Sequence, residues 1–249
     1  MKKVFEVEYA GHAVRYSFLY PATRYHFREY IRPAEGEEYD IRVSPNLIER
    51  GKKLLPEDST VQYVEYRCMI PLTAKALLKW NACIFHSVSF IMGGYAWLLT
   101  APSGTGKSTQ YFNWERLFPG EITMISGDMP VLTPMEDGTI LVSGSSWNGK
   151  EGIGGRHEAP LGGVVLLEQA GENTVAEMTP AECILPFFGQ FIVRPETEEE
   201  IRSLALLMEK LLTAAPVWKL RNKGDDESTE MLRRLLMDRL CELKGGSDG

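Results

Sequence analysis

The sequence lacks the cysteine patterns of disulfide frameworks and of zinc sites. It holds four cysteines, which lie far apart in the chain and form no C-x-x-C pair. They are Cys68, Cys83, Cys183 and Cys241. Isolated thiols of this kind are typical of a reducing compartment, so we expect a cytoplasmic protein without bound zinc.

An excess of basic residues is also missing. The 27 Lys and Arg residues are outnumbered by 34 Asp and Glu residues, which gives a formal net charge of −7. This balance argues against nucleic acid or an anionic membrane as the main partner. Residues 1–8 alternate and carry acids, unlike a signal peptide. The apolar stretch 82–100 is interrupted by His86 and by Gly93-Gly94, which predicts two short strands of a hairpin instead of a membrane span.

The most informative segment is 101–109, Ala-Pro-Ser-Gly-Thr-Gly-Lys-Ser-Thr, which directly follows an apolar run. A strand that enters a Gly-rich turn ending in Gly-Lys-Ser is the sequence form of a phosphate-binding P-loop. Its backbone N–H groups and the following helix N-terminus favour phosphate oxygens. The predicted nucleotide-binding residues are Ser103, Gly104, Thr105, Gly106, Lys107, Ser108 and Thr109. Ala101 stands where the motif has Gly.

A P-loop site also needs a metal-binding acid. We predict that ATP binds with Mg²⁺ and that the Ser108 hydroxyl and Asp128 hold the metal. Asp128 follows the stretch 121–126, which we expect to form a strand beside the P-loop strand. The alternative is that Gly127-Asp128 is an ordinary turn.

Three further residues are candidates for catalysis. The polar loop 143–158 carries two cations, Lys150 and Arg156, either of which could stabilise charge on a transferring phosphoryl group. Each could equally be a solvated surface charge. His86 lies on the strand that pairs with the P-loop strand and could move a proton, although a lone His among apolar residues is more often part of the core.

The chain is long enough for one large domain or two small ones. We predict a small strand-rich N-terminal unit over 1–80, a nucleotide-binding domain over 81–243 and a disordered tail over 244–249. Within the first unit, 60–69 is predicted to be a strand and 71–81 a helix.

Together these segments resemble HPr kinase/phosphorylase, whose core is related to phosphoenolpyruvate carboxykinase. The resemblance is stronger to uncharacterised bacterial relatives of that kinase, and it covers about 60–240. It is carried by His86-Ser87, the P-loop 101–109, Gly127-Asp128-Met129-Pro130 and Ser146-Trp147-Asn148-Gly149-Lys150-Glu151. Ala101 also fits those relatives. The resemblance implies an α/β (α+β) fold with a mixed sheet around the P-loop.

The resemblance also implies catalytic roles for two adjacent acids, of which this chain has only one. In the kinase, paired acids contact the metal and act as base for an acceptor Ser hydroxyl. Asp128 matches the second acid, but Gly127 replaces the first, so either Asp128 does one job only or another group such as His86 supplies the base. The predicted function is transfer of the ATP γ-phosphoryl group to a hydroxyl of a protein, peptide or small molecule. The alternative is a non-catalytic nucleotide-binding module. Decarboxylation of an oxo acid is disfavoured by chain length, and the sequence leaves oligomerisation open.

Overall fold

The computed structural model describes residues 3–33, 38–149 and 151–245. The described residues do not include the predicted cation Lys150. They also do not include 246–249, which make up most of the predicted tail. The last helix extends to Gly245. No helix among the described residues is long and apolar enough to cross a membrane.

A small sheet forms the first part of the chain. It comprises β1 (Val4–Tyr9), β2 (His12–Ser17) and β3 (Glu38–Arg42), with β1 and β2 antiparallel and β3 parallel to β2. Ala10 and Gly11 join the first two strands with φ of 52° and 76°, the left-handed pair that a tight hairpin turn requires. Alternate residues of β1 are buried, so this sheet has one apolar face.

Three helices follow this sheet or interrupt it. They are α1 (Thr23–His26), α2 (Pro45–Lys52) and α3 (Val61–Lys79). Helix α3 covers the apolar face of the small sheet, and Tyr16 on β2 shares a hydrogen bond of 2.7 Å with Thr73 on α3. The N-terminal part of the chain therefore contains more helix than strand among the described residues.

The strand predicted over 60–69 is wrong, because these residues belong to α3. Pro71 suggested that a helix starts there, since proline favours the first helical turn. It instead lies inside one continuous helix, where it cannot donate the backbone hydrogen bond that the Arg67 carbonyl would normally accept. Burial on several sides of α3 also hides the helical period in the sequence.

The rest of the chain builds a mixed sheet of nine strands within the described residues. Its path is β4-β8-β9-β10-β6-β5-β7, and β12 pairs with both β10 and β11. The strands are β4 (Cys83–Ile84), β5 (Ser87–Met92), β6 (Tyr95–Thr100), β7 (Thr123–Ser126), β8 (Val131–Pro134), β9 (Ile140–Ser143), β10 (Glu158–Gln169), β11 (Thr174–Glu177) and β12 (Val217–Asn222). A mixed α/β fold with a small N-terminal sheet is confirmed.

Helices cover both faces of this sheet. They are α4 (Lys107–Leu117), α5 (Pro180–Phe188), α6 (Glu198–Ala214) and α7 (Asp226–Gly245). Successive residues on β6 point to opposite faces, so Leu98 packs with α6 and Leu99 with α4 and α7. The strand before Asp128, β7, is not beside β6 as predicted, because β5 lies between them.

Candidate functional site

The P-loop connects the buried end of β6 to the first residue of α4. Gly104 and Gly106 have φ of 82° and 100°, which side-chain-bearing residues rarely adopt. Among the described residues, the N–H groups from Gly106 to Thr109 donate no backbone hydrogen bond. Such unpaired groups at a helix N-terminus form a site for an anion.

Lys107 lies folded against the P-loop. Its side-chain Nζ donates to the carbonyl oxygens of Ala101, at 2.8 Å, and Pro102, at 3.4 Å. Burial lowers the pKa of Lys107, and the nearby Asp128 charge opposes that shift. A cation held only by neutral carbonyls is well placed to exchange them for phosphate oxygens, which are the stronger acceptors.

Helix α4 is held in place by buried polar contacts. Gln110 donates to Asn222 of β12 and Ser228 of α7, and accepts a hydrogen bond from Thr229. All four residues are buried, so these amide and hydroxyl groups depend on one another. This network fixes the first turn of α4, and with it the direction of the P-loop N–H groups.

His86 directly precedes β5 and does not lie on the strand as predicted, and it contacts Asp128 at the same end of the sheet. His86 Nε2 lies 3.2 Å from Asp128 Oδ1, and its Nδ1 lies 3.0 Å from Gln190 Oε1. The His86 backbone N–H also donates to the Gln190 carbonyl at 2.8 Å. The imidazole ring is therefore oriented from both nitrogens, with Asp128 on one side and Gln190, which follows α5, on the other.

Asp128 is positioned through its own backbone. The Ser126 hydroxyl accepts hydrogen bonds from the N–H groups of Asp128 and Met129. The Asp128 carbonyl accepts from the N–H of Ser87 at the start of β5. These bonds form a turn that directs the carboxylate toward His86.

Gly127 is a position where a side chain has no room. A Cβ built on it would lie 2.9 Å from the carbonyl oxygens of both Asn148 and Ile153. The Gly127 N–H donates to the Ile153 carbonyl at 2.8 Å, which holds the loop against it. The packed backbone of the loop therefore excludes the first acid of the pair that the motif resemblance implies at this place.

The loop between β9 and β10 is anchored by Trp147. Its indole is 1% exposed, stacks on Tyr9 and packs edge-on against Phe27, so it belongs to the core of the N-terminal sheet. Tyr66 on α3 donates to the carbonyl of Ser146 at 2.6 Å. The N-terminal part of the chain thus holds the loop that covers Gly127.

The P-loop, His86 and Asp128 line one open groove of about 790 Å³. Of the predicted site residues, it brings together His86, Ser103, Gly104, Gly106, Lys107, Ser108, Thr109 and Asp128. Thr105 belongs to the same turn and donates from its hydroxyl to the Pro102 carbonyl. The volume is within the range of small-molecule sites.

Arg156 lies elsewhere. It lines a second cavity of about 610 Å³, next to Tyr30, Arg32 and His157. The structure does not bring it to the P-loop groove, and Lys150 lies outside the described residues.

The sequence reasoning missed several residues in or beside the groove. Tyr63 and Arg67 of α3 and Glu151 of the loop line it; we call the part of the lining that does not come from the P-loop the far wall. Gln190 lies beside the groove and holds the His86 ring. A Cβ on Gly149 would lie 3.2 Å from the Asp128 Cβ and 3.5 Å from a Glu151 carboxylate oxygen, so both acids flank Gly149. Glu151 was the last residue of a recognised motif, which was the available signal.

The groove contains ligands suited to a magnesium–nucleotide complex. Among the described residues, no cluster of three or more His, Cys, Asp and Glu side chains could hold a metal ion by itself. A P-loop site does not need such a cluster, since phosphate oxygens supply several of the ligands. The Ser108 hydroxyl and the Asp128 carboxylate both line the groove and are the oxygen donors that Mg²⁺ prefers.

Comparison with known proteins gives a distant similarity in fold. No family model matches the chain, and no curated protein matches it. A similar solved structure is the Hpr(Ser) kinase/phosphatase from Coxiella burnetii, at 9% sequence identity and a TM-score of 0.41. The similarity covers 66% of this chain and 94% of that one. A likeness at this level does not establish a family, so the resemblance drawn from the motifs stays a prediction.

Proposed function

We propose that the chain binds Mg²⁺–ATP in the P-loop groove and transfers the γ-phosphoryl group to a hydroxyl. The observation that carries the proposal is that one groove joins the unpaired P-loop N–H groups and Lys107 to the His86–Asp128 pair. The N–H groups and Lys107 bind the phosphates. Ser108 and Asp128, whose orientation His86 fixes, would hold Mg²⁺, which would supply positive charge to neutralise the phosphate oxygens.

The transfer is an in-line displacement. The acceptor oxygen forms a bond to the γ-phosphorus, and the bond from that phosphorus to the β–γ bridging oxygen breaks. The bridging oxygen leaves on ADP with the bonding electron pair. Asp128 is committed to the metal, and Gly127 offers no acid, so the acceptor proton passes to the carboxylate of Glu151, which also lines the groove. The acceptor is the hydroxyl of a protein, a peptide or a small molecule.

A non-catalytic nucleotide-binding module is the second candidate. Gly127 favours it, because the packed loop excludes the first acid of the kinase pair. This candidate predicts ATP binding without phosphate release and without labelling of any acceptor.

Two measurements on the full chain test the proposal. Calorimetric titration with Mg²⁺–ATP gives affinity, and incubation with γ-labelled ATP and a cell extract gives transfer. Lys107→Ala should lower the rate of transfer by about 100-fold or more, since an aligned phosphate donor is worth about 10²–10³ in rate. Lys244→Ala, which removes an exposed lysine of α7, is the matched control.

Asp128→Asn separates the two candidates. Under the proposal it retains ATP binding and loses acceptor labelling. ATP binding by the unaltered chain with no labelling and no phosphate release would favour the non-catalytic module. Equal ATP affinity in Lys107→Ala and Lys244→Ala would overturn both.

A further inference from the structure

The far wall of the groove contains a cation that the P-loop motif does not include. Tyr63 and Arg67 lie four residues apart on α3, so they share one face of the helix, and both line the groove that the P-loop also lines. The turn that carries Arg67 also lacks one backbone hydrogen bond, because Pro71 has no N–H to donate to the Arg67 carbonyl.

Arg67 is half-buried, and its guanidinium has no acceptor among the described residues. Within the described part of the chain it makes no hydrogen bond or ion pair, and Tyr66 and Cys68 beside it are buried. Arg233 shows the usual alternative, a forked pair with both oxygens of Glu121. A guanidinium has five N–H donors in a planar fork that fits phosphate oxygens, and a sheltered position makes an anionic partner more favourable.

Few cations line the groove among the described residues. Lys107 and Arg67 are the only lysine and arginine that line the groove there, and they come from separate parts of the chain, Lys107 from α4 and Arg67 from α3. Lys107 reaches its site from the P-loop side, where the phosphates of a nucleotide would lie. An anionic group bound in the groove could therefore be contacted by two cations from separate elements.

We propose that Arg67 contacts the terminal phosphate of the bound nucleotide and stabilises the charge on the γ-phosphoryl group during transfer. This inference rests on the proposed function and names a catalytic residue for it. Charge spreads over the three equatorial oxygens of that group in the transition state, and a planar fork can bind two of them. The N-terminal part of the chain would then supply a group essential to the reaction of the P-loop domain.

The test compares ligands that differ only at the γ position. Affinities for Mg²⁺–ATP, Mg²⁺–ADP and Mg²⁺–ADP with aluminium fluoride, which mimics the flat transferring group, are measured for the full chain. Arg67→Ala should leave the ADP affinity within about 3-fold and weaken the fluoroaluminate complex by about 10²–10³-fold, as expected for loss of one aligned donor. Arg67→Lys should recover only part of it, since an ammonium lacks the fork. Arg50→Ala, an exposed arginine of α2, is the control.

Each outcome decides the inference. If the unaltered chain binds ATP and Arg67→Ala weakens all three ligands equally or none of them, Arg67 has no role at the γ position and the proposed function stands. If the unaltered chain binds no nucleotide, the proposed function fails and this inference fails with it. Thermal unfolding of Arg67→Ala at the temperature of the unaltered chain excludes a folding defect as the cause.

Discussion

The two walls of the groove are built in different ways. The P-loop wall comes from one continuous segment, 101–109, held by the buried contacts of Gln110. The far wall is assembled from separate segments: α3, the turn at Asp128, the loop around Glu151 and the residues after α5. A wall made of one segment depends on local backbone geometry, whereas a wall made of several depends on how distant parts of the chain pack.

The largest expected effect comes from removing the anchor of the far wall. Trp147→Ala should lower the free energy of unfolding by about 3–5 kcal/mol, the usual cost of truncating a buried tryptophan. Urea denaturation measures it. Phe112→Ala, which removes a half-exposed ring from α4, is the control and should change stability by about 0.5 kcal/mol or less.

Nucleotide binding by Trp147→Ala tests whether the P-loop wall keeps its structure when the anchor of the far wall is removed. Because the P-loop wall has its own contacts, ADP affinity should change little while residues 148–153 become sensitive to protease. A variant as stable and as resistant to protease as the unaltered chain would show that the loop is not held by Trp147.

A smaller effect is expected where the loop meets the turn. Gly127→Asp should lower the free energy of unfolding by about 1–3 kcal/mol, because its Cβ meets two backbone carbonyls at 2.9 Å. Gly171→Asp is the matched control, since nothing lies within 4 Å of a Cβ there. Circular dichroism during thermal unfolding compares the two. A Gly127→Asp protein that matches the control in stability would contradict the packing described for this turn.

The smallest effect concerns alkaline pH. Burial raises the pKa of Tyr66 above its ordinary value of 10.0. The folded chain keeps this proton above pH 10 while the unfolded chain loses it, so the contribution to stability is constant below pH 10 and falls as pH rises further.

Tyr66→Phe separates the stability that comes from the Tyr66 hydrogen bond from the change in stability that comes from its titration. At pH 7.5 it should cost about 1 kcal/mol, because the bond to the Ser146 carbonyl is lost. Between pH 10 and 11 its stability should decline less steeply than that of the unaltered chain. Tyr25→Phe, which alters an exposed phenol, should leave the decline unchanged. Parallel slopes for all three proteins in urea titrations would count against burial as the cause.

The sequence predicted the P-loop wall because its signals are local. The hairpin of β5 and β6, the glycines with positive φ and the start of α4 follow from residues adjacent in the chain. It also predicted the two strands around Gly138 and the helix that starts after Thr197, whose hydroxyl accepts from the Glu200 N–H.

The far wall could not be predicted in the same way. Helix α3 was mistaken for a strand and a helix because tertiary burial, and not a regular apolar period, decides its conformation. The position of Arg67 depends on the packing of α3 against the small sheet. The pairing of His86 with Gln190, 104 residues apart in sequence, has no local signal either.

Gly127 also has a consequence for how this chain can diverge. An acid at this position requires that the backbone at Asn148 and Ile153 move away first, and that backbone is tied to the N-terminal core through Trp147. A single substitution of Gly127 by an acid therefore costs stability unless the loop has already moved away. Glu151, which already lines the groove, gives this chain a second carboxylate without any such change.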